Sequence, residues 1–232
     1  MQLDGSAPLL TVAHGTRTPE GNLVARALTE AAAGRLEGGA TCSFVELSEP
    51  LFADVVLDAP AGSVVVPLLL STGFHLRQDL PSMVAAAPEP VRLGRSLGPH
   101  RDLAAAQVAR LVEAGAEPGE PLVMVAAGSS DPLATRDLDR AAELLGRAWG
   151  SPVRLGTLAG LGRRVAEVVE PGDVVSPYLL ATGFFARRLR EEALGRGARV
   201  VADVIGPHER VVDLVVARAR ALHAIRPAVA GA

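Results

Sequence analysis

Three side chains in the first third of the chain have the types and the spacing to hold a metal ion and move a proton. His14 follows the apolar run PLLTVA (8–13), Glu46 lies at the end of CSFVEL (42–47), and His75 follows SVVVPLLL (63–70) through Ser71-Thr72-Gly73-Phe74. Short, nearly continuous apolar runs read as buried strands of a parallel sheet. Ligands of open α/β sheets bind beyond the carboxyl ends of the strands, so all three residues leave the same predicted edge. Two imidazoles and a carboxylate suit a borderline divalent metal such as Fe²⁺, Co²⁺, Ni²⁺ or Zn²⁺, with positions left open for a substrate. Each residue alone has an ordinary explanation: a hydrogen-bonded strand-end histidine, a solvated glutamate, or a cap before Pro50. The conjunction is what points to a site.

The elements that must position them come in two copies. VVVPLLLSTGF (64–74) recurs as VVSPYLLATGF (174–184), SLGPHRDLAAAQVARL (96–111) as VIGPHERVVDLVVARA (204–219), and LLTVAHGT (9–16) as LVMVAAGS (122–129). Three matches in the same chain order indicate an internal duplication. The Gly/Pro/Glu stretch EAGAEPGEP (113–121) reads as the joint between an N-terminal domain, 1–116, and a C-terminal one, 121–232. Within the first unit, helices are expected at 22–36, 49–59, 77–87 and 101–115, between the strands. The pattern predicts an α/β fold: two tandem doubly wound parallel-sheet domains, each a Rossmann-like three-layer α/β/α unit, with a cleft between them.

The duplication also separates chemistry from scaffold. His14 aligns with Ala127, His75 with Phe185, and Glu46 most nearly with Thr157, so the second copy lacks all three groups. One metal site, in the N-terminal half, is the expectation. His100 and His208 occur in both copies within GPH at a helix start, which argues for a capping or packing role; His223 is expected in solvent.

The 232 residues carry a net charge of −3, with 23 arginines and no lysine. Residues 1–120 hold 8 Arg against 14 acids, and residues 121–232 hold 15 Arg against 12, so the halves are electrically unlike. Arg187, Arg188 and Arg190 follow ATGFFA at the strand end equivalent to the His75 loop, where guanidinium groups could bind carboxylates or phosphates. Arg163 and Arg164 lie near another helix start.

Several classes are excluded. The balanced charge argues against a nucleic-acid partner. The lone Cys42 excludes a disulfide framework or a multi-cysteine metal site. No apolar run approaches a membrane span and no signal peptide is evident, so a cytoplasmic protein without a membrane partner is expected. No P-loop or G-x-S-x-G elbow occurs. Gly160-Leu-Gly162 gives only a partial dinucleotide motif, with Val165 in its last position and no strong strand before it, so no nucleotide cofactor is expected.

AHGTRTPEGN (13–22), FVELSEP (44–50) and VVVPLLLSTGFHLRQDLP (64–81) together resemble the sirohydrochlorin chelatase family, the cobalt- or iron-inserting class II chelatases. The resemblance covers nearly the whole chain, because longer members of that family also have two homologous halves. It implies a lyase-class enzyme in which His14 and His75 bind the incoming metal, Glu46 lies beside them, and the metal is a substrate: Fe²⁺ or Co²⁺, with Ni²⁺ next. The tetrapyrrole substrate would be sirohydrochlorin, leading to sirohaem or cobalamin, and Arg187, Arg188 or Arg190 would hold its carboxylates. Phe74 departs from the family's usual Val-like residue before the third-motif histidine. A chain with two halves can form its own cleft, so a monomer is expected. The competing readings are a non-catalytic metal or tetrapyrrole carrier and a histidine phosphatase. The latter needs an Arg before its histidine, where this chain has Val12-Ala13.

Overall fold

The computed structural model describes residues 7–73 and 75–225, apart from the side chain of His75. The first half places β1 (Leu9–Ala13), β2 (Ala40–Phe44), β3 (Val64–Pro67) and the short β4 (Arg92–Leu93) in one parallel sheet, ordered β2-β1-β3-β4. The second half repeats this with β5 (Leu122–Ala126), β6 (Val153–Thr157), β7 (Val174–Tyr178) and β8 (Val200–Val201), ordered β6-β5-β7-β8. Every pairing is parallel. β1, β3, β5 and β7 are buried along their whole length, which is why they read as unbroken apolar runs.

The connecting helices of the first half are α1 (Pro19–Ala33), α2 (Phe52–Val55), α3 (Leu80–Ala85) and α4 (Arg101–Glu113). Those of the second are α5 (Pro132–Trp149), α6 (Val165–Val168), α7 (Phe184–Gly195) and α8 (Glu209–His223). α1 starts three residues before the expected 22, because Pro19 is preset for a first helical turn. The stretch expected to be a helix over 49–59 yields only the four residues of α2. The 77–87 stretch divides into a π-helical turn, His75–Asp79, and α3. A strand does precede Gly160, contrary to expectation. β6 lies at the sheet edge and carries Arg154 and Gly156, which dilute its apolar signal.

The last helix of each half packs across the joint. α4 lies against β7 and α8 against β3, and the two helices also contact each other. Gln107 on α4 donates from Nε2 to the Ser176 hydroxyl on β7 at 2.8 Å, with both residues buried. At the other crossing, Arg92 donates to the Leu222 carbonyl, and the Leu222 side chain fills the space a Cβ would take at Gly94. One aliphatic cluster therefore runs through both halves, from Leu9 and Val66 to Met124, Ile205 and Val215. Each sheet takes a covering helix from the other half.

His100 and His208 cap these two helices. In each, Nδ1 accepts the backbone N–H two residues on, from Asp102 and Arg210 respectively. Burial is the main cause holding both imidazoles below the usual histidine pKa, opposed by Asp102 at His100 and reinforced by Arg110 at His208. Protonation destroys the acceptor, so the folded chain disfavours the charged form. The stability these caps contribute is complete above the unfolded value near 6.5 and is lost as pH falls through the lower folded values. Urea unfolding should show a lower midpoint at pH 5.5 than at pH 7.5. That gap should narrow when both residues become asparagine, a good cap that does not titrate. His223 departs from expectation: its Nε2 is buried and makes no hydrogen bond among the described residues.

Candidate metal centre

The loop after β1 is fixed by backbone constraints. Gly15 adopts φ +93°, and a Cβ there would sit 1.8 Å from the Glu46 carbonyl oxygen. Only glycine lets the two loops approach so closely. Val45 N–H donates to Ala13 O at 2.8 Å and Glu46 N–H to His14 O at 3.1 Å, extending the β1–β2 ladder past its named strands. The side chain of Asn22 on α1 closes the loop from the other side. It accepts from Thr16 N–H at 3.0 Å and donates to Thr16 O at 2.8 Å. Asn22 belongs to the AHGTRTPEGN segment, but nothing in the sequence singled it out. Its signal was an amide in the first turn of an otherwise apolar helix face.

This frame places His14 Nε2 3.5 Å from Glu46 Oε1, with both side chains half exposed at the ligand edge. His14 Nδ1 lies 3.3 Å from the Gly15 carbonyl. A carbonyl only accepts, so Nδ1 donates in that contact and Nε2 is the ring nitrogen that faces the carboxylate. A proton or a metal ion between Nε2 and the carboxylate satisfies both groups. At metal–ligand distances of about 2.1 Å, a 3.5 Å separation corresponds to a ligand–metal–ligand angle of roughly 115°, close to tetrahedral. Among the described residues no cluster of three His, Cys, Asp or Glu is assembled. The third expected member, His75, opens the π-helical turn at the end of the β3 loop, and its side chain lies outside the described residues.

The second copy keeps the scaffold without the chemistry. Gly128 has φ +89°, a Cβ there would lie 1.9 Å from Ala159 O, and Ala159 N–H donates to Ala127 O at 2.9 Å. The structural counterpart of Glu46 is therefore Ala159, which corrects the expected alignment with Thr157 by two residues. Thr157 pairs with Ala126 as Phe44 pairs with Ala13. The inference that the carboxylate is missing from the second copy is unchanged.

Both halves line the space beside His14. A cavity of about 460 Å³ opens between His14, Gly15, Phe44 and Leu47 on one side and Leu180, Thr182, Phe184 and Phe185 on the other. A second space of about 390 Å³ continues past His14 to Leu70, Gly73, Ser129 and Tyr178. The linings are mainly apolar.

The second half also holds the loop that leads to His75. Tyr178 O–H donates to the Leu70 carbonyl at 2.9 Å, an approach that Gly98 permits because any Cβ there would meet both oxygens at 2.2 Å. Thr72 N–H donates to Asp137 at 2.6 Å, and Arg77 pairs with Asp131. The Leu133 N–H and then Arg77 hold the Asp131 carboxyl below the usual range, and burial pushes the Tyr178 hydroxyl well up. Sequence reasoning missed these residues, because a lone acid on an amphipathic helix carries no local sign of a partner over fifty residues away.

The three arginines separate. Arg187 and Arg190 line a groove of about 330 Å³ with Thr18, Glu20 and Asp203, sharing Thr182, Gly183 and Ala186 with the larger cavity. Arg190 donates to Val201 O, while Arg187 makes no side-chain hydrogen bond or ion pair among the described residues. Arg188 pairs with Glu192 one turn along the helix. Arg163 and Arg164 are spent on the Gly160–Glu167 loop: Arg164 bonds Gly160 O and Thr157, and Arg163 bonds Glu167 O.

The duplicated architecture has counterparts. The CbiX family model matches residues 8–114 and again 121–222. The chain belongs to the CbiX family. A sirohydrochlorin ferrochelatase of Priestia megaterium is 27% identical over 92% of this chain and 90% of its own length. SirB from Bacillus subtilis, solved with Fe³⁺, superposes with a TM-score of 0.80 at 25% identity, covering 94% of this chain and 95% of that one. The sirohydrochlorin chelatase SirB of Bacillus subtilis subspecies spizizenii, solved with cobalt, gives 0.79 at 25% identity over 93% and 94%. The paired four-stranded parallel sheets are thus the fold of the CbiX and SirB chelatases. No described helix of this CbiX-family chain is long and apolar enough to cross a membrane.

Proposed function

We propose that this chain is a sirohydrochlorin chelatase, a lyase-class enzyme that inserts a divalent metal into the tetrapyrrole bound between its halves. The observation that carries the reading is the His14–Glu46 pair, with Nε2 facing the carboxylate and His14 lining a cavity to which both halves contribute. His14, Glu46 and His75, all in the N-terminal half, bind the metal substrate. Fe²⁺ is the favoured metal, with Co²⁺ next, leading to sirohaem or a cobalamin precursor.

Insertion exchanges protein ligands for four ring nitrogens and releases two pyrrole N–H protons. Glu46 is placed to accept a proton as the metal leaves it, and the vacated imidazole of His14 or His75 takes the other. The hydrogen bond to Gly15 O keeps His14 in the tautomer that binds metal through Nε2. Arg187 and Arg190, in the adjoining groove, hold rim carboxylates; Arg188 contributes less because Glu192 already engages it. Because one chain completes the cleft, it acts as a monomer.

Anaerobic incubation with sirohydrochlorin and Fe²⁺, Co²⁺ or Ni²⁺, followed by absorbance, tests this. Metallation faster than in the protein-free mixture is expected, fastest with Fe²⁺. Tight binding of metal and tetrapyrrole without acceleration would make the chain a carrier instead.

A further inference from the structure

The chain has five Phe, one Trp and one Tyr. Phe44, Phe52, Trp149 and Tyr178 are buried, while Phe184 and Phe185, adjacent at the start of α7, are 61% and 39% exposed. A pair of exposed aromatics in so aromatic-poor a chain is unusual, and their place is specific. Both line the cavity that holds His14 and Gly15, from the opposite half. Their rings meet edge to face, with centroids 5.5 Å apart and planes at 67°, so the pair offers apolar faces in two directions.

The duplication explains how they came to be there. Gly183-Phe184-Phe185 occupies in the second copy the place of Gly73-Phe74-His75 in the first. Where the N-terminal copy delivers a metal-binding imidazole to the ligand edge, the C-terminal copy delivers an aromatic ring to the same cleft. One turn further along α7, Arg187 and Arg190 line the adjoining groove. The cavity therefore presents the His14 imidazole and aromatic rings, and the groove adjoining it presents guanidinium groups. That set of chemistries matches a ligand with a polar centre, a flat π face and an anionic rim.

We propose that Phe184 and Phe185 form the platform on which one face of the tetrapyrrole rests, setting the ring opposite His14 and Glu46. The inference rests on the chelatase reading and assigns the second half's degenerate site a binding role of its own. The platform contributes to ring affinity and leaves the affinity for metal alone unchanged.

The test is a titration of metal-free sirohydrochlorin into the full chain and into a Phe184→Ala/Phe185→Ala variant, with Co²⁺ binding measured separately without tetrapyrrole. The double variant should bind the tetrapyrrole about tenfold more weakly. It should show a raised KM with little change in kcat, and the Co²⁺ affinity should stay the same. Each single variant should lose about threefold, which keeps the test available if the double variant folds poorly. Phe184→Tyr/Phe185→Tyr, which keeps both rings, should restore binding. Equal tetrapyrrole affinity in the alanine variants and the unmodified chain would overturn the platform while leaving the chelatase reading intact. If the unmodified chain bound no sirohydrochlorin, both would fall.

Discussion

Replacing His14 with alanine should lower the rate of metal insertion by on the order of 100-fold or more, because even residues that only orient metal ligands cost 10- to 100-fold when removed. The effect should be chemical and not structural. His14 is half exposed, and the β1–β2 contacts that frame it are made by main chain: Val45 N–H to Ala13 O, and Glu46 N–H to the His14 carbonyl, which alanine retains. The free energy of unfolding should therefore stay within about 0.5 kcal/mol of the parent, as for a surface substitution. Sirohydrochlorin affinity should also persist, since the apolar and arginine-lined parts of the cleft are untouched. Steady-state insertion at varied Fe²⁺, with tetrapyrrole held saturating, gives the measurement. Near-parental turnover would place the metal elsewhere.

The second large effect concerns Gly15. Gly15→Ala should destabilise the fold by about 2–4 kcal/mol, by combining positive-φ strain with a steric clash. The new Cβ would stand 1.8 Å from Glu46 O, and backbone on that side cannot give way like a flexible side chain. Whatever relaxation occurs must separate the β1 and β2 loops, which carry His14 and Glu46, so turnover should fall together with stability. Gly39→Ala is the control. Its φ is +73°, yet a Cβ there has nothing within 4 Å, so it should cost only about 1 kcal/mol and leave turnover unchanged. Denaturant unfolding and insertion rates on the two variants separate strain from close approach. Equal losses in both would show that the Glu46 contact does not matter.

The contrast with Gly128 shows what the sequence made legible. The same close approach recurs in the second copy against Ala159 O, so the tight loop belongs to the scaffold and His14 and Glu46 are additions to it. The duplication was readable because buried strands such as Val64–Pro67 and Val174–Tyr178 must stay apolar whatever the copy does. That His14 and Glu46 come together at one sheet edge was readable because each follows an apolar run that forms a neighbouring parallel strand. What escaped was set by distance or by local weakness of signal. The exchange of α4 and α8 between sheets depends on which partner an amphipathic face meets, and periodicity does not report that. β6 was missed because an edge strand interrupted by Arg154 and Gly156 resembles a loop, and that gap misplaced the Glu46 counterpart by two residues. Tyr178, Asp137 and Asp131, which hold the segment on either side of His75 from the second half, are single polar residues whose purpose exists only in three dimensions.

The proposed metal site is single, built in the N-terminal half from His14, Glu46 and His75, where the second copy has Ala127, Ala159 and Phe185. Anomalous diffraction from crystals soaked in Co²⁺ tests it most directly. One peak per chain, about 2.1 Å from His14 Nε2 and in reach of Glu46 and His75, is the predicted result. A peak beside Ala127 and Ala159 in the second copy, or one that persists in His14→Ala crystals, would contradict it.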